Sequence, residues 1–216
     1  GFGGRGSGQR RAMVGGFGGT KQTERAVAAG LNWLARHQNP DGSWSLGGFD
    51  HMCKDGHCSG QGKENSNSAA TAFALLPFLA AGQTHETKGP YQKTIANGFN
   101  WLMIHQGKDG SLHAGAGQTM YSHGLAAITM CEAYGLSKDD RIRKSAQGAI
   151  RFIEAAQSQK TGSWVYQPAP QAESGDTSVL GWQLMALKSA QMAGLDVKPA
   201  TLEGARKWLK AVSKGS

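Results

Sequence analysis

The stretch GLNWLARHQ at residues 30–38 returns as GFNWLMIHQ at residues 98–106. It returns more loosely as AIRFIEAAQ at residues 149–157, and in part as ARKWL at residues 205–209. In each copy the apolar residues stand three and four positions apart, which is the spacing of an amphipathic helix. A chain that repeats one helix in this way is a stack of similar helical units, so the repeat predicts an all-α architecture.

The segments between the copies predict further helices that are richer in small residues. We expect seven helices, at about residues 20–38, 66–81, 91–106, 121–134, 139–157, 176–194 and from 199 onward. The second should bury Phe73, Leu76 and Leu79. Because small residues let helices pack closely, the second, fourth and sixth helices are expected to form an inner layer inside the other four.

Residue types at the segment ends predict where several helices begin and end. Thr23 and Asp176 are expected to cap the first and sixth helices, since their side chains can accept hydrogen bonds from free N–H groups. Gly82, Gly135 and Gly194 are expected to end the second, fourth and sixth helices.

Residues 1–19 differ from the rest of the chain because nine of them are glycine. This composition predicts a tail ahead of a single domain at residues 20–216. We expect the tail to contact the domain, or a neighbouring chain, through Phe2 and Phe17.

The formal net charge is +8. Apart from Arg5, Arg10 and Arg11, the basic residues are scattered singly over several helices and do not alternate with aromatic residues. This distribution argues against a nucleic-acid-binding protein. The sequence also contains no apolar run long enough to span a membrane.

A turn motif follows each of the first three copies. It reads QNPDGSW at residues 38–44 and QGKDGSL at residues 106–112, and Gln157 precedes GSW at residues 162–164 with one extra residue. This pattern resembles the repeat of squalene–hopene and oxidosqualene cyclases and, more broadly, the α/α toroid family of terpene cyclases and protein prenyltransferases. The resemblance implies an α/α toroid-like array of about three and a half helical hairpins, fewer than a closed toroid needs.

The resemblance also implies structural roles for the repeated glutamine and aromatic residues. In that family the glutamine and tryptophan of each turn fasten the end of an outer helix to the turn. The turn residues that carry over are Gln38, Gln106, Gln157, Trp44 and Trp164. The repeated helix aromatics are expected to pack the outer layer, and they are Trp33, Trp101, Phe152 and Trp208. His37 and His105 occupy the same position in two copies, so we expect both to serve the scaffold.

The catalytic motifs of the family do not carry over to this sequence. Polyprene cyclases use an Asp-x-Asp-Asp motif as the acid, and this sequence has none. Asp139 and Asp140 open a helix, where acidic residues are favoured by the helix dipole. No set of Asp, Cys and His matches the zinc triad of the prenyltransferases, and Cys131 is expected in the core. Whether the chain is an enzyme is therefore left open.

An insertion at residues 47–63 breaks the repeat and contains His51, Cys53, His57 and Cys58. Three interpretations stand: a Cys53–Cys58 disulfide, which ranks first; free thiols, which rank second; and a zinc site, which ranks third. No cofactor is therefore expected, and zinc is the one considered. A disulfide would favour a location outside the cytoplasm. The sequence does not otherwise assign one.

The second candidate region is the rim of the inner layer, where helix starts carry polar residues. If these starts converge, they form a polar ring around an apolar cavity. The expected rim residues are Asn67, Tyr121, His123, Tyr166, Asp176 and Trp182. Asp176 and His123 are the catalytic candidates, although helix capping is the favoured role for Asp176 and a hydrogen-bonded structural histidine is the default for His123.

Three functions fit these observations. The first is a family member without cyclase activity that binds an apolar ligand or a protein partner on its concave inner face. The second is an isoprenoid-processing enzyme whose acid is Asp176 or lies outside this chain. The third is a subunit that assembles through its N-terminal tail or its unpaired last helix, on which Leu202, Ala205 and Leu209 would be exposed.

Overall fold

The computed structural model describes residues 15–117 and 119–213. Within these ranges, the chain from Lys21 onward forms seven α-helices and a short 3-10 helix at Phe49–Met52, with no β-strand. The α-helices are α1 (Lys21–Arg36), α2 (Asn67–Ala80), α3 (Gln92–Ile104), α4 (Thr119–Ser137), α5 (Asp140–Ala156), α6 (Thr177–Ala193) and α7 (Pro199–Val212). The expected all-α class is confirmed.

The helices alternate between two layers. In the inner layer α4 lies between α2 and α6 and packs against both of them. Of the outer helices, α1 and α3 both pack on α2, and α7 packs on α6. The remaining outer helix, α5, packs on α4 and α6. This arrangement is an α/α toroid-like array, as the repeat predicts.

Small side chains set the close approach of the inner helices. Ala72, Ala126 and Ala186 are fully buried where these helices meet. Gly124 of α4 lies so close to α6 that a Cβ atom would be 2.8 Å from the Gln183 amide nitrogen and 3.1 Å from the Trp182 Cβ. The core is therefore built from helices that nearly touch backbone to backbone.

Several helix ends lie where their capping residues predict. Ser66 caps α2 by accepting from the Ala69 N–H, and Asp176 caps α6. Gly194 ends α6 in a left-handed conformation with φ of 82°. The cap predicted at Thr23 lies one turn earlier: Thr20 is the N-cap of α1, and Thr23 completes a capping box with it.

Two expectations about α2 and α4 are wrong. Phe73 is 46% exposed, because it lies on the face of α2 that points away from the core containing Leu79. Helix α4 continues past Gly135 to Ser137, and Lys138 takes the left-handed position with φ of 59°. The Lys138 side chain crosses to donate to the Ala193 carbonyl, 3.1 Å away, at the end of α6.

The last helix does not present the apolar surface expected of it. Ala205 and Trp208 are buried, and Leu202 and Leu209 are partly buried against the core. These side chains pack where α7 lies against α6.

Of the two tail contacts expected from the sequence, Phe2 falls outside the described residues. Phe17 is 88% exposed, so it does not pack on the domain. None of the helices in the described ranges is long and apolar enough to cross a membrane.

Candidate functional site

The three motif glutamines each join their own turn to the following outer helix. Each side-chain amide donates to one carbonyl in its turn and to one carbonyl in the next outer helix. The pairs are Gln38 with Gly42 (2.8 Å) and Thr94 (2.9 Å), Gln106 with Gly110 (2.9 Å) and Ser145 (3.0 Å), and Gln157 with Gly162 and Thr201 (both 2.8 Å). These contacts fasten the outer helices to one another in sequence order.

The turn tryptophans bond back to the helix they follow. The indole N–H of Trp44 donates to the Leu34 carbonyl, and that of Trp164 donates to the Ile153 carbonyl, both at 2.8 Å. Leu112 occupies the same place in the second turn and is buried without such a bond. Trp101 instead donates to Asp41 of the preceding turn at 3.0 Å, and Trp208 is buried on α7.

Glycine is required where each turn meets the next outer helix. Gly42 has φ of 94°, and a Cβ there would lie 2.7 Å from the Asn97 carbonyl oxygen. Gly110 and Gly162 lie even closer to the backbone of Gly148 and Gly204. The turns therefore act as spacers between outer helices.

His123 lies in the core and not at the rim. Its side chain is fully buried. Its Nδ1 accepts from the Leu112 N–H at 2.9 Å, which leaves Nε2 to donate to the Ala149 carbonyl at 3.1 Å. Burial lowers the pKa of His123 to about 4, so the ring is neutral at physiological pH. Both nitrogens are engaged by the backbone, which leaves no nitrogen free for acid–base chemistry.

Three of the expected rim residues, Tyr121, Tyr166 and Asp176, lie close together near the N-terminal ends of α4 and α6. The Tyr121 and Ser178 hydroxyls are hydrogen-bonded, and the Tyr121 and Tyr166 rings lie 5.6 Å apart. Asp176 accepts from the Ser178 hydroxyl at 2.5 Å. The three inner helices thus bring their N-terminal ends to one rim, which the 2.7 Å contact between Ser66 and Ser122 extends to α2. Asn67, the first residue of α2, is partly buried there.

Asp176 is held as an ionised cap. Its Oδ1 accepts from the N–H groups of Ser178 (2.8 Å) and Val179 (2.9 Å), in addition to the Ser178 hydroxyl. These hydrogen bonds, the Ser178 side chain foremost, lower the pKa of Asp176 below its usual value. A carboxylate in this state is a poor proton donor.

Below the rim, two aromatic side chains meet in front of α4. Phe73 of α2 and Trp182 of α6 make an edge-to-face contact with ring centroids 6.4 Å apart. Since α4 lies between these helices, the contact shows that the inner face is concave. A cleft of about 460 Å³ adjoins Phe73 and is also lined by Leu46, Ala69, Tyr121, Ser122 and Leu125.

The insertion forms a second polar cluster, against the end of α1. Cys53 and Cys58 are free cysteines, so the disulfide that ranked first is not formed. The Cys58 N–H donates to the Cys53 sulfur at 3.3 Å, and His37 Nε2 lies 3.1 Å from the Cys58 sulfur. His51 and His57, the histidines singled out from the sequence, are exposed and outside this cluster.

The two thiols share one proton unequally. A hydrogen bond from the Cys58 thiol lowers the pKa of Cys53 to about 6, and the same contact raises the pKa of Cys58. Cys53 is therefore a thiolate at neutral pH. Asp50, at the start of the insertion, has a buried carboxylate oxygen with no hydrogen-bond partner, and its negative charge also acts on Cys58.

His37 is the site residue that the sequence did not single out. It stands 16 positions before Cys53, and its recurrence as His105 pointed to a scaffold role. The one sequence feature that could have pointed to His37 is the position of the insertion, which begins shortly after the helix end that carries His37. Only the fold shows that the inserted loop turns back over that helix end.

A third polar group, outside both regions, is an ion-pair network. Asp139 lies 3.0 Å from His85 Nε2 and accepts from the Arg141 guanidinium at 2.8 Å. The Arg141 hydrogen bond holds the pKa of Asp139 well below its usual range. The Arg141 guanidinium pairs with the Asp139 carboxylate, so these residues stabilise the connection between α4 and α5.

The chain matches the model of one known protein family. The family model of the squalene-hopene cyclase C-terminal domain matches residues 12–127, which is more than half of the chain. The chain belongs to the squalene-hopene cyclase C-terminal domain family. No curated protein matches the chain significantly.

Membership in this cyclase family agrees with the helical array. The match ends within α4, yet the hydrogen bonds of Gln157 repeat those of Gln38 and Gln106 beyond it. The structural repeat of the cyclase family therefore continues through α7.

Proposed function

We propose that this member of the cyclase family binds an apolar ligand on its concave inner face without cyclising it by acid catalysis. The observation that carries the proposal is the edge-to-face contact of the half-exposed Phe73 with the partly buried Trp182, beside a cleft of about 460 Å³ that Phe73 lines. Met185, one turn from Trp182 on α6, is also half-exposed. Large apolar side chains that are exposed side by side often mark a binding site.

The cleft combines apolar walls with a few polar groups at one end. Leu46, Ala69 and Leu125 supply the apolar walls. The polar lining consists of Glu64 and Asn65 together with the hydroxyl groups of Ser66 and Ser122. An elongated hydrocarbon with one polar end, such as an isoprenoid alcohol, fits this distribution, because its chain would cover the aromatic rings and its head would reach the hydroxyls.

The rim groups support binding and not acid-initiated cyclisation. Protonating an alkene requires a strong, protonated acid, whereas Asp176 is held ionised by its three donors. His123 is buried, and both of its nitrogens are occupied by the backbone. Neither of the catalytic candidates is therefore in the state that this chemistry needs.

The test is a fluorescence titration of the full chain with dansyl-labelled farnesol. Phe73→Ala and Trp182→Ala are each expected to weaken binding by about tenfold or more, because each removes a large apolar contact. Ile104→Ala is the matched control, since Ile104 is 79% exposed on the outer helix α3, and it should leave binding unchanged. Absence of saturable binding, or equal losses in all three variants, would contradict the proposal.

The same preparation also tests the isoprenoid-processing alternative. Squalene incubated with the chain should be recovered unchanged by mass spectrometry. A cyclised product that disappears in Asp176→Asn would overturn the non-catalytic proposal and favour an enzyme with Asp176 as its acid.

A further inference from the structure

The inserted loop and the end of α1 bring three soft ligand atoms together. His37 Nε2, the Cys53 sulfur and the Cys58 sulfur all lie within 4.8 Å of one another. Ligands of a tetrahedral zinc ion stand about 3.5–3.8 Å apart, given Zn–S bonds of about 2.3 Å and Zn–N bonds of about 2.0 Å. The three atoms are thus within a small side-chain adjustment of this geometry.

His37 is oriented as metal-binding histidines are. Its Nδ1 donates to the Trp33 carbonyl at 2.7 Å, which leaves the lone pair of Nε2 facing the two sulfurs. The ring stacks on Trp33 at a centroid distance of 3.8 Å, and the residue is only 4% exposed. A backbone carbonyl that fixes the far nitrogen of the ring is the usual outer support of a metal-bound imidazole.

His105 shows what the same scaffold position looks like without the insertion. Its Nδ1 contacts the Trp101 carbonyl at 2.8 Å, and its ring stacks on Trp101 at 4.1 Å, as in the first repeat. His105 is nevertheless exposed, and no cysteine approaches it. The insertion has therefore added two thiols to a histidine that the repeat already held in a fixed orientation.

The surroundings of the three atoms also suit a cation. Four residues separate Cys53 from Cys58 along the loop, which is within the spacing common in zinc sites. Beside them, a buried oxygen of Asp50 has no hydrogen-bond partner. An open cleft of about 590 Å³, lined by all three ligand residues, provides a path for entry.

We propose that His37, Cys53 and Cys58 bind a zinc ion, with the fourth position facing the cleft and taken by water. Two thiolates and one imidazole form a donor set that selects zinc among the abundant divalent metals. Binding releases the proton that remains on the two sulfurs to solvent and fastens the insertion to the end of α1. The zinc ligands are different residues from Phe73 and Trp182, and the two proposals are tested with different probes, so they can fail independently.

The test is zinc analysis of the purified full chain, reconstituted under reducing conditions. We expect about one zinc per chain. His37→Gln and Cys58→Ser should each lower the zinc affinity by tenfold or more. His105→Gln, the matched control in the second repeat, and His57→Gln should retain the metal. Cobalt substitution gives a second readout, because a tetrahedral site with two thiolates has intense visible bands and a sulfur charge-transfer band.

Because His37 also packs on Trp33, its substitution could disturb α1, and circular dichroism of His37→Gln must therefore show the wild-type helix content. Cys58 lies in a loop, so Cys58→Ser tests the same site without changing a helix. A chain that takes up no stoichiometric metal would overturn the proposal. So would a loss of zinc in His57→Gln equal to that in His37→Gln. Recovery of the chain as a metal-free Cys53–Cys58 disulfide after exposure to air in excess zinc would also overturn it.

Discussion

Two histidines at equivalent positions of the repeat, His37 and His105, differ only in what the rest of the chain brings to them. Both contact the carbonyl of a stacked tryptophan four residues earlier. At His37 the insertion adds two cysteines, whereas His105 is exposed. A residue's recurrence in a repeat therefore defines its orientation, and its neighbours define its chemistry.

The contribution of Asp176 to the free energy of unfolding is expected to depend on pH. Asp176→Ala should lower the free energy of unfolding by about 1 kcal/mol at pH 7, because α6 loses its cap. The folded-state pKa of Asp176 is lowered, so its contribution is present above the unfolded value of about 3.9 and is lost as pH falls through the folded value. Urea unfolding at pH 7 and pH 3 should therefore show a smaller difference at pH 3. Exposed Asp196→Ala is the control, and a difference that stays constant over this range would refute the assignment.

Gln106 tests the fastening of the outer helices. Gln106→Ala removes two hydrogen bonds, to Gly110 and Ser145, and should lower the free energy of unfolding by about 1–3 kcal/mol. Gln159→Ala, at an exposed position, should change it by less than about 0.5 kcal/mol. Equal effects in a denaturant titration would mean that the glutamine does not join the turn to α5.

At the scale of elements, two glycines in the inner helices predict opposite results. Gly181→Ala in α6 meets no atom within 4 Å and should stabilise the fold by up to about 1 kcal/mol, because glycine is a poor helix former. Gly124→Ala in α4 would place its Cβ 2.8 Å from the Gln183 amide and should destabilise the fold by about 1–3 kcal/mol. Thermal melting of both variants distinguishes them. If Gly124→Ala were also stabilising, the α4–α6 contact would be looser than described.

The element boundaries could be predicted from sequence where a local side chain decides them. Ser66, Asp176 and Gly194 end or begin helices through hydrogen bonds or backbone conformations that belong to the residue itself. Gly135 failed as a helix end because the contact of Lys138 with the Ala193 carbonyl depends on α6, far away in sequence. Phe73 failed for the same reason: periodicity places it on one face of α2, but only the tertiary arrangement makes that face concave and open.

The candidate sites follow the same rule. Convergence at the rim could be predicted, because the polar residues at the starts of parallel inner helices lie at the same end of the layer. The Cys53 and Cys58 pair was visible as a break in the repeat. The third member of that cluster was not, because no spacing in the sequence relates residue 37 to a loop that begins at residue 47 and folds back.

At the scale of the whole molecule, the insertion and the helical array are expected to respond separately to metal removal. The buried core lies mainly in α2–α7, whereas the insertion contacts the end of α1. A zinc chelator under reducing conditions should therefore increase amide exchange in residues 47–63 and leave exchange in α4 and α6 unchanged. Uniform loss of protection across the chain would mean that the metal supports the whole fold and not only the loop.

The most direct test of the central claim is amide hydrogen exchange of the full chain with and without saturating dansyl-labelled farnesol. A ligand on the concave face should protect α2 (Asn67–Ala80) and α6 (Thr177–Ala193), the helices that carry Phe73 and Trp182, and leave the outer helix α3 unchanged. Protection confined to the cleft around Cys53 and Cys58, or no protection in α2 and α6, would contradict the account.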